Sequence, residues 1–156
     1  MILYRFMSDG ELKMFLEGMT VSSRQSVSVR NSTQPGFLFF DDSKPIESRI
    51  PLMVGKADIS NVAEFEVINR YRFTKSVGEY SNPRNDEMNL SRMGIAELFH
   101  LVEDNGKPTV MVKQYHATEY NQNDLKILRI GTPGVFTGIR KGEYMVKWKE
   151  VLQWMI

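Results

Sequence analysis

Apolar and polar residues along the chain fall into a few clear patterns. Ile2-Leu3-Tyr4-Arg5-Phe6-Met7 is short, apolar and aromatic, and predicts a strand that one arginine interrupts. The following SDGELKMFLEGM predicts a helix. Ser8 and Glu11 have capping-box spacing, and Leu12, Phe15, Leu16 and Met19 fall on one helical face. Gly18 stands where a left-handed C-terminal cap is expected. TVSSRQSVSVRNSTQPG reads as an exposed loop. Phe37 to Phe40 then predicts a short buried strand that ends abruptly in Asp41-Asp42-Ser43.

In NVAEFEVINRYRF, Ala63, Phe65 and Val67 alternate with Glu64, Glu66 and Ile68, which predicts a strand with one wet face. SVGEYSNPRNDEMN, residues 76–89, reads as a loop or lid. LSRMGIAELFHLVED predicts a second helix, with Ile95, Leu98, Phe99 and Val102 on its apolar side, ended by Asn105-Gly106. Strands are expected over Thr109–Tyr115, Leu125–Ile130 and Glu143–Trp148, with a glycine-marked loop from Gly131 to Gly138 and VLQWMI closing the core. Strands outnumber helices and do not alternate with them, so the expected class is α+β.

A length of 156 residues implies one domain over 1–156, long enough to bury a core without staples. A net charge of +1 gives no global field for nucleic acid or an anionic membrane. The absence of cysteine excludes disulfides, thiolate metal sites and a cysteine nucleophile. No apolar run is long enough to span a bilayer, so no membrane partner is expected. MILYRFMSDGE lacks the unbroken apolar region of a signal peptide, and the expected location is cytoplasmic.

Candidate chemistry is sparse. His100 and His116 have no ligand or triad spacing around them. Asp41-Asp42 has the form of a turn cap far more than of a cation site, and no metal is expected. Arg24, Arg30, Arg70, Arg72 and Lys75 make no strong nucleic-acid footprint. Arg5 is more informative, because a charge inside a short apolar strand needs an anionic or carbonyl partner if it turns inward. That partner is either a ligand or a carboxylate of the core itself. Glu143 opens the last strand directly after Gly142, where a carboxylate can sit on the rim of a cleft.

Three fragments then resemble ADP-ribosyltransferases. LYRFMSDGELKMFLEGM resembles the start of the cholera-toxin type. Gly36 to Asp41 resembles the G-I-Y-F-A-D core strand of poly(ADP-ribose) polymerases, and GEYMVKW resembles their last functional strand, N-E-Y-I-V-Y. The resemblance implies a split pair of antiparallel sheets with flanking helices and NAD, as substrate, clamped between them. It implies NAD-dependent transfer of ADP-ribose to a macromolecular acceptor, a protein, by a bacterial or phage toxin-like effector. Tyr4 and Arg5 would bind the dinucleotide, Phe39 or Phe40 would stack near the nicotinamide, and Glu143 would be the catalytic carboxylate. The chain has Phe39-Phe40-Asp41 where toxin-type members have Ser-Thr-Ser, and Arg5 where polymerases have histidine. Ser43, or Ser32-Thr33, is near enough to supply the missing hydroxyl. The hybrid leaves a second reading open, a non-catalytic module of the same fold that binds a nucleotide or a protein.

Overall fold

The computed structural model describes residues 1–22, 36–53, 57–81, 102–104, 107–136 and 143–155. Ten strands lie among them: β1 Ile2–Met7, β2 Val21–Ser22, β3 Phe37–Asp41, β4 Asn61–Val67, β5 Thr74–Ser81, β6 Val102–Asp104, β7 Lys107–Ala117, β8 Glu119–Tyr120, β9 Leu125–Phe136 and β10 Glu143–Lys149. The helices are α1 Asp9–Leu16, α2 Ile50–Met53 and α3 Val151–Met155, with 3-10 turns at Ile46–Arg49 and Arg70–Arg72. The class is α+β, and every strand pair is antiparallel.

One eight-stranded sheet runs in the order β10-β9-β4-β1-β3-β7-β5, with β6 also on β7, and β2 pairs β8 separately. The hydrogen-bonded path is unbroken, but β3 is a staggered joint. It pairs β7 through Phe37–Phe39 and β1 through Phe40 and Asp41. Both faces of the sheet are covered. Leu3, Phe37, Phe39, Phe65 and Tyr120 form one core, under Leu12 and Phe15 of α1. Phe6, Phe40 and Val62 form the other, under Ile46, Ile50 and Leu52. Period-two alternation along β1 and β3 deals successive residues to opposite cores. This is why Phe37 to Phe40 reads as an uninterrupted apolar run.

Local chemistry accounts for α1. The Ser8 hydroxyl accepts from the Glu11 N–H at 3.2 Å, and Gly18 takes φ +80° after the last turn. Several boundaries differ from the sequence reading. Residues 76–81, expected as loop, belong to β5, and 82–89 lie outside the described residues. Most of the expected middle helix, with His100, also lies outside them, while Val102–Asp104 is strand β6. The loop expected from Gly131 is instead the second half of β9, paired with β10 through Pro133 and Gly134. A proline is tolerated there because β4 pairs β9 only as far as Gly131, which leaves one edge of β9 without a strand among the described residues. Met19, expected on the apolar face of α1, is exposed beyond its end. Among the described residues, no helix is long and apolar enough to cross a membrane.

Candidate functional site

Neighbouring residues of β1 lead to opposite sides of the sheet. Arg5 is 3% exposed. Its Nε and Nη2 donate to Glu11 Oε2 and Oε1 at 2.7 and 2.8 Å, and its Nη1 donates to the Leu38 carbonyl at 3.0 Å. The guanidinium also lies over the rings of Phe37 and Phe39, at 4.8 and 5.7 Å. Burial alone would lower the Arg5 pKa, but the charge and hydrogen bonds of Glu11 raise it. Tyr120 is buried close enough for its hydroxyl to feel both charges, and burial pushes its pKa up; the hydroxyl has no hydrogen-bond partner among the described residues. Arg5 thus has its anionic partner inside the core. Glu11 serves as that anion from the first turn of α1.

Tyr4, one residue earlier, opens on the other face. There a cleft of about 340 Å3 lies between β1, the loop after β3, β9 and β10. Tyr4, Ser43, Lys44, Arg129 and Trp148 line it, with Asp42 and Glu47 on the loop wall. Its size falls in the range of small-ligand sites. Glu64 on β4 organises this side. Arg129 Nε and Nη2 donate to its two carboxylate oxygens at 3.0 and 2.9 Å, and the Tyr4 hydroxyl donates to Oε2 at 2.8 Å. The Arg129 guanidinium lies 3.9 Å from the centre of the Trp148 ring, a close cation–π contact. Burial, with the hydrogen bond to Glu64, pushes the Tyr4 pKa up to about 12. The hydrogen bond to Glu64 raises that of Arg129. Near neutral pH the cleft therefore holds a neutral phenol and a permanent cation, which Glu64 keeps in place.

A bulge aims Arg129. Glu64 pairs Arg129 and Phe65 pairs Ile127, so Leu128 is an extra residue on β9. Ile127 packs on the first core, while Arg129, two residues on, lines the cleft. Gly131 lies opposite Trp148. A Cβ there would strike Val146 Cγ1 and lie 3.0 Å from Trp148 Cε3, so its absence lets the indole lie against β9.

The residues singled out from sequence are distributed as follows. Tyr4 and Ser43 share the cleft with Trp148 of the last strand. Phe39 is fully buried in the first core, edge-on to Phe73 at 5.1 Å, and Phe40 is buried in the second, edge-on to Phe6 at 6.2 Å. Neither ring lines the cleft. Asp41 acts as a turn cap and accepts from the Ser43 N–H at 3.2 Å and from the Ser43 hydroxyl. Ser32 and Thr33 lie outside the described residues. Glu143 opens β10 opposite Phe136, five positions before Trp148, about 17 Å along the strand. Lys149, at the other end of β10, is the residue level with Arg5 through Ile130 and Ala63. Positions 5 and 143 are therefore separated by six residues along the strands, about 20 Å, and by three strand spacings, about 14 Å.

Sequence reasoning missed Glu64 and Arg129. Glu64 read as wet-face filler, and nothing in KILRIG marked Arg129. Comparison with protein-family models, with curated proteins and with solved structures finds no match to this chain.

Proposed function

We propose that the chain is an ADP-ribosyltransferase-like domain that takes a nicotinamide dinucleotide into the Tyr4–Trp148 cleft. One observation carries the reading: the first strand, the loop after β3 and the last strand converge on that cleft, each contributing a lining side chain. The first and last strands lie in segments that carry the resemblance, and the loop directly follows the third such segment, Gly36 to Asp41. Tyr4 and Trp148 offer aromatic surface to a ring. The Arg129 cation suits a phosphate by its charge, while Glu64 holds its Nε–Nη2 fork and fixes its place. The Ser43 hydroxyl suits a ribose. In the reaction, the bond between the nicotinamide nitrogen and the ribose C1′ breaks, nicotinamide leaves with the bonding pair, and a nucleophile of a protein acceptor adds to C1′. Glu143 would place negative charge against the positive charge that develops on the ribose.

The second reading is a non-catalytic module of the same kind that binds a nucleotide or a protein partner. The closure of Arg5 by Glu11 and the separation of positions 5 and 143 favour it.

Incubation with labelled NAD and candidate acceptor proteins, alongside calorimetric titration, separates the two. Arg129→Ala removes charge-assisted hydrogen bonds worth about 1.5–3 kcal/mol, and NAD affinity should fall about tenfold to a hundredfold. Under the transferase reading, Glu143→Gln cuts nicotinamide release about a hundredfold with NAD affinity unchanged, and Glu150→Gln is neutral. Binding without release or incorporation leaves the module. No binding at millimolar NAD overturns a dinucleotide site.

A further inference from the structure

The turn between β4 and β5 holds an aromatic side chain out in water. Tyr71 is 88% exposed, and Ile68 beside it is 60% exposed. The turn that carries them is pinned. The Ile68 and Asn69 N–H groups donate to the Asp124 carbonyl at 2.8 and 3.2 Å. The buried Asp124 carboxylate accepts from Asn69 Nδ2 at 3.2 Å and from Arg72 Nε at 3.4 Å. The exposure of Tyr71 is therefore built into the fold, and a partner that covers the ring has little ordering left to do.

Arg70 sets positive charge beside it, and two further cations follow on β5 and β7. The Arg70 guanidinium lies 5.6 Å from the centre of the Tyr71 ring. The turn runs directly into the edge strand β5, where Lys75 is exposed and pairs Tyr115, and Val77, 59% exposed, pairs the exposed Lys113. Alternation sets Lys75, Val77, Lys113 and Tyr115 on one face. Among the described residues Arg70, Lys75 and Lys113 form no ion pair, whereas the nearby acids Glu119 and Asp124 are engaged by Arg72. The sheet edge thus combines one pinned, solvent-facing aromatic with three cations that form no ion pair among the described residues.

We propose that this surface binds single-stranded nucleic acid, with Tyr71 stacking on a base and Arg70, Lys75 and Lys113 meeting phosphates. A base needs a flat face, and the backbone needs spaced cations. A single strand uses the ring and the cations together, and competition by polyglutamate, which carries charge and no planar group, tests the part of the ring. The near-neutral net charge of the chain does not oppose this, because the charge is local. The surface contains none of the cleft residues, so the outcome of an NAD titration leaves the proposal untouched.

Fluorescence anisotropy with labelled mixed-sequence oligonucleotides of about 16 nucleotides, as DNA and as RNA, tests it. Binding is expected at about 50 mM salt. Three phosphate contacts should weaken it about twentyfold by about 200 mM. Tyr71→Ala should weaken it about tenfold at an unchanged melting temperature, and Tyr71→Phe should retain it. The triple variant Arg70→Ala, Lys75→Ala, Lys113→Ala should flatten the salt dependence. Equal affinity for DNA and RNA assigns recognition to bases and phosphates, and a preference for RNA adds the ribose 2′-hydroxyl. The proposal is overturned if no oligonucleotide binds at the lower salt, if Tyr71→Ala binds as wild type does, or if polyglutamate competes as well as an oligonucleotide.

Discussion

Two arginines in this sheet have the same fork filled in the same way, and burial gives them different roles. Arg5 and Arg129 each place Nε and Nη2 on the two oxygens of one glutamate. The Arg5–Glu11 pair is sealed inside the first core, whereas Arg129 is 41% exposed at the cleft. Removing one partner of a sealed pair strands the other charge, so Arg5→Ala should destabilise the fold by about 3–5 kcal/mol. Arg5→Lys should recover only part of this, since an ammonium cannot reproduce the planar fork. Urea denaturation checks both. A variant that keeps wild-type stability would mean that the carboxylate of Glu11 relaxes to solvent. His116 provides a pH signature. It is buried, its Nδ1 lies 2.7 Å from the Ser76 hydroxyl, and burial lowers its pKa. The unfolded chain therefore takes up a proton near the ordinary pKa of about 6.5 before the folded chain does. Stability should fall as the pH drops from there towards the folded pKa, and level off below it. Melting curves between about pH 7 and pH 5 should show a smaller loss for His116→Gln than for wild type.

At the scale of single elements, the cleft depends on two irregularities of β9. The Leu128 bulge reverses the alternation, so that Ile127 faces the core and Arg129 the cleft. Gly131 gives the indole of Trp148 its bed. Gly131→Ala should force Val146 and Trp148 aside and cost about 1–3 kcal/mol by overpacking. It should also change the tryptophan emission and weaken ligand binding in the cleft. A melting curve together with an emission spectrum tests this, and unchanged emission would show that the indole does not rest on position 131. These irregularities mark how far the sequence could be read. β1, β3, α1 and the start of β10 were legible, because alternation, a capping box and a left-handed glycine are local signals. Tyr4 was singled out through a resembling segment and Ser43 as a nearby hydroxyl, and both line the cleft. Arg129 was not, because strict alternation puts positions 127 and 129 on one face and a bulge leaves no compositional mark. The same limit explains Arg5. Its need for an anion was evident from sequence, but the choice between a ligand and Glu11 depends on where α1 folds back, and strand periodicity does not encode that. The second half of β9 was hidden by Pro133 and Gly134, which usually signal a loop and are tolerated here beyond the last β4 pairing at Gly131.

For the whole molecule, the staggered joint at β3 brings the two parts of the sheet together without a gap, and the helical layers cover opposite faces of it. The central position of β1 then bears on how the chain reaches this state. β1 is flanked on both sides by partners that come much later in the chain, with Tyr4 beside Phe40 on one edge and beside Glu64 on the other. Five of the seven pairings in the eight-stranded sheet are long closures of this kind, β9–β10 and β6–β7 being local hairpins, and each long closure loses chain entropy before it gains contacts. Such a topology belongs to the slow end of single-domain folding, in the millisecond-to-second range. Until β4 arrives, β1 has an open edge and an unburied apolar side, and in that interval it can pair with other chains. Arg5 then has a second effect. A permanent charge in the middle of the strand makes β1 a poor template for self-association while it waits, and the pairing with Glu11, only six residues away, neutralises that charge once α1 has folded.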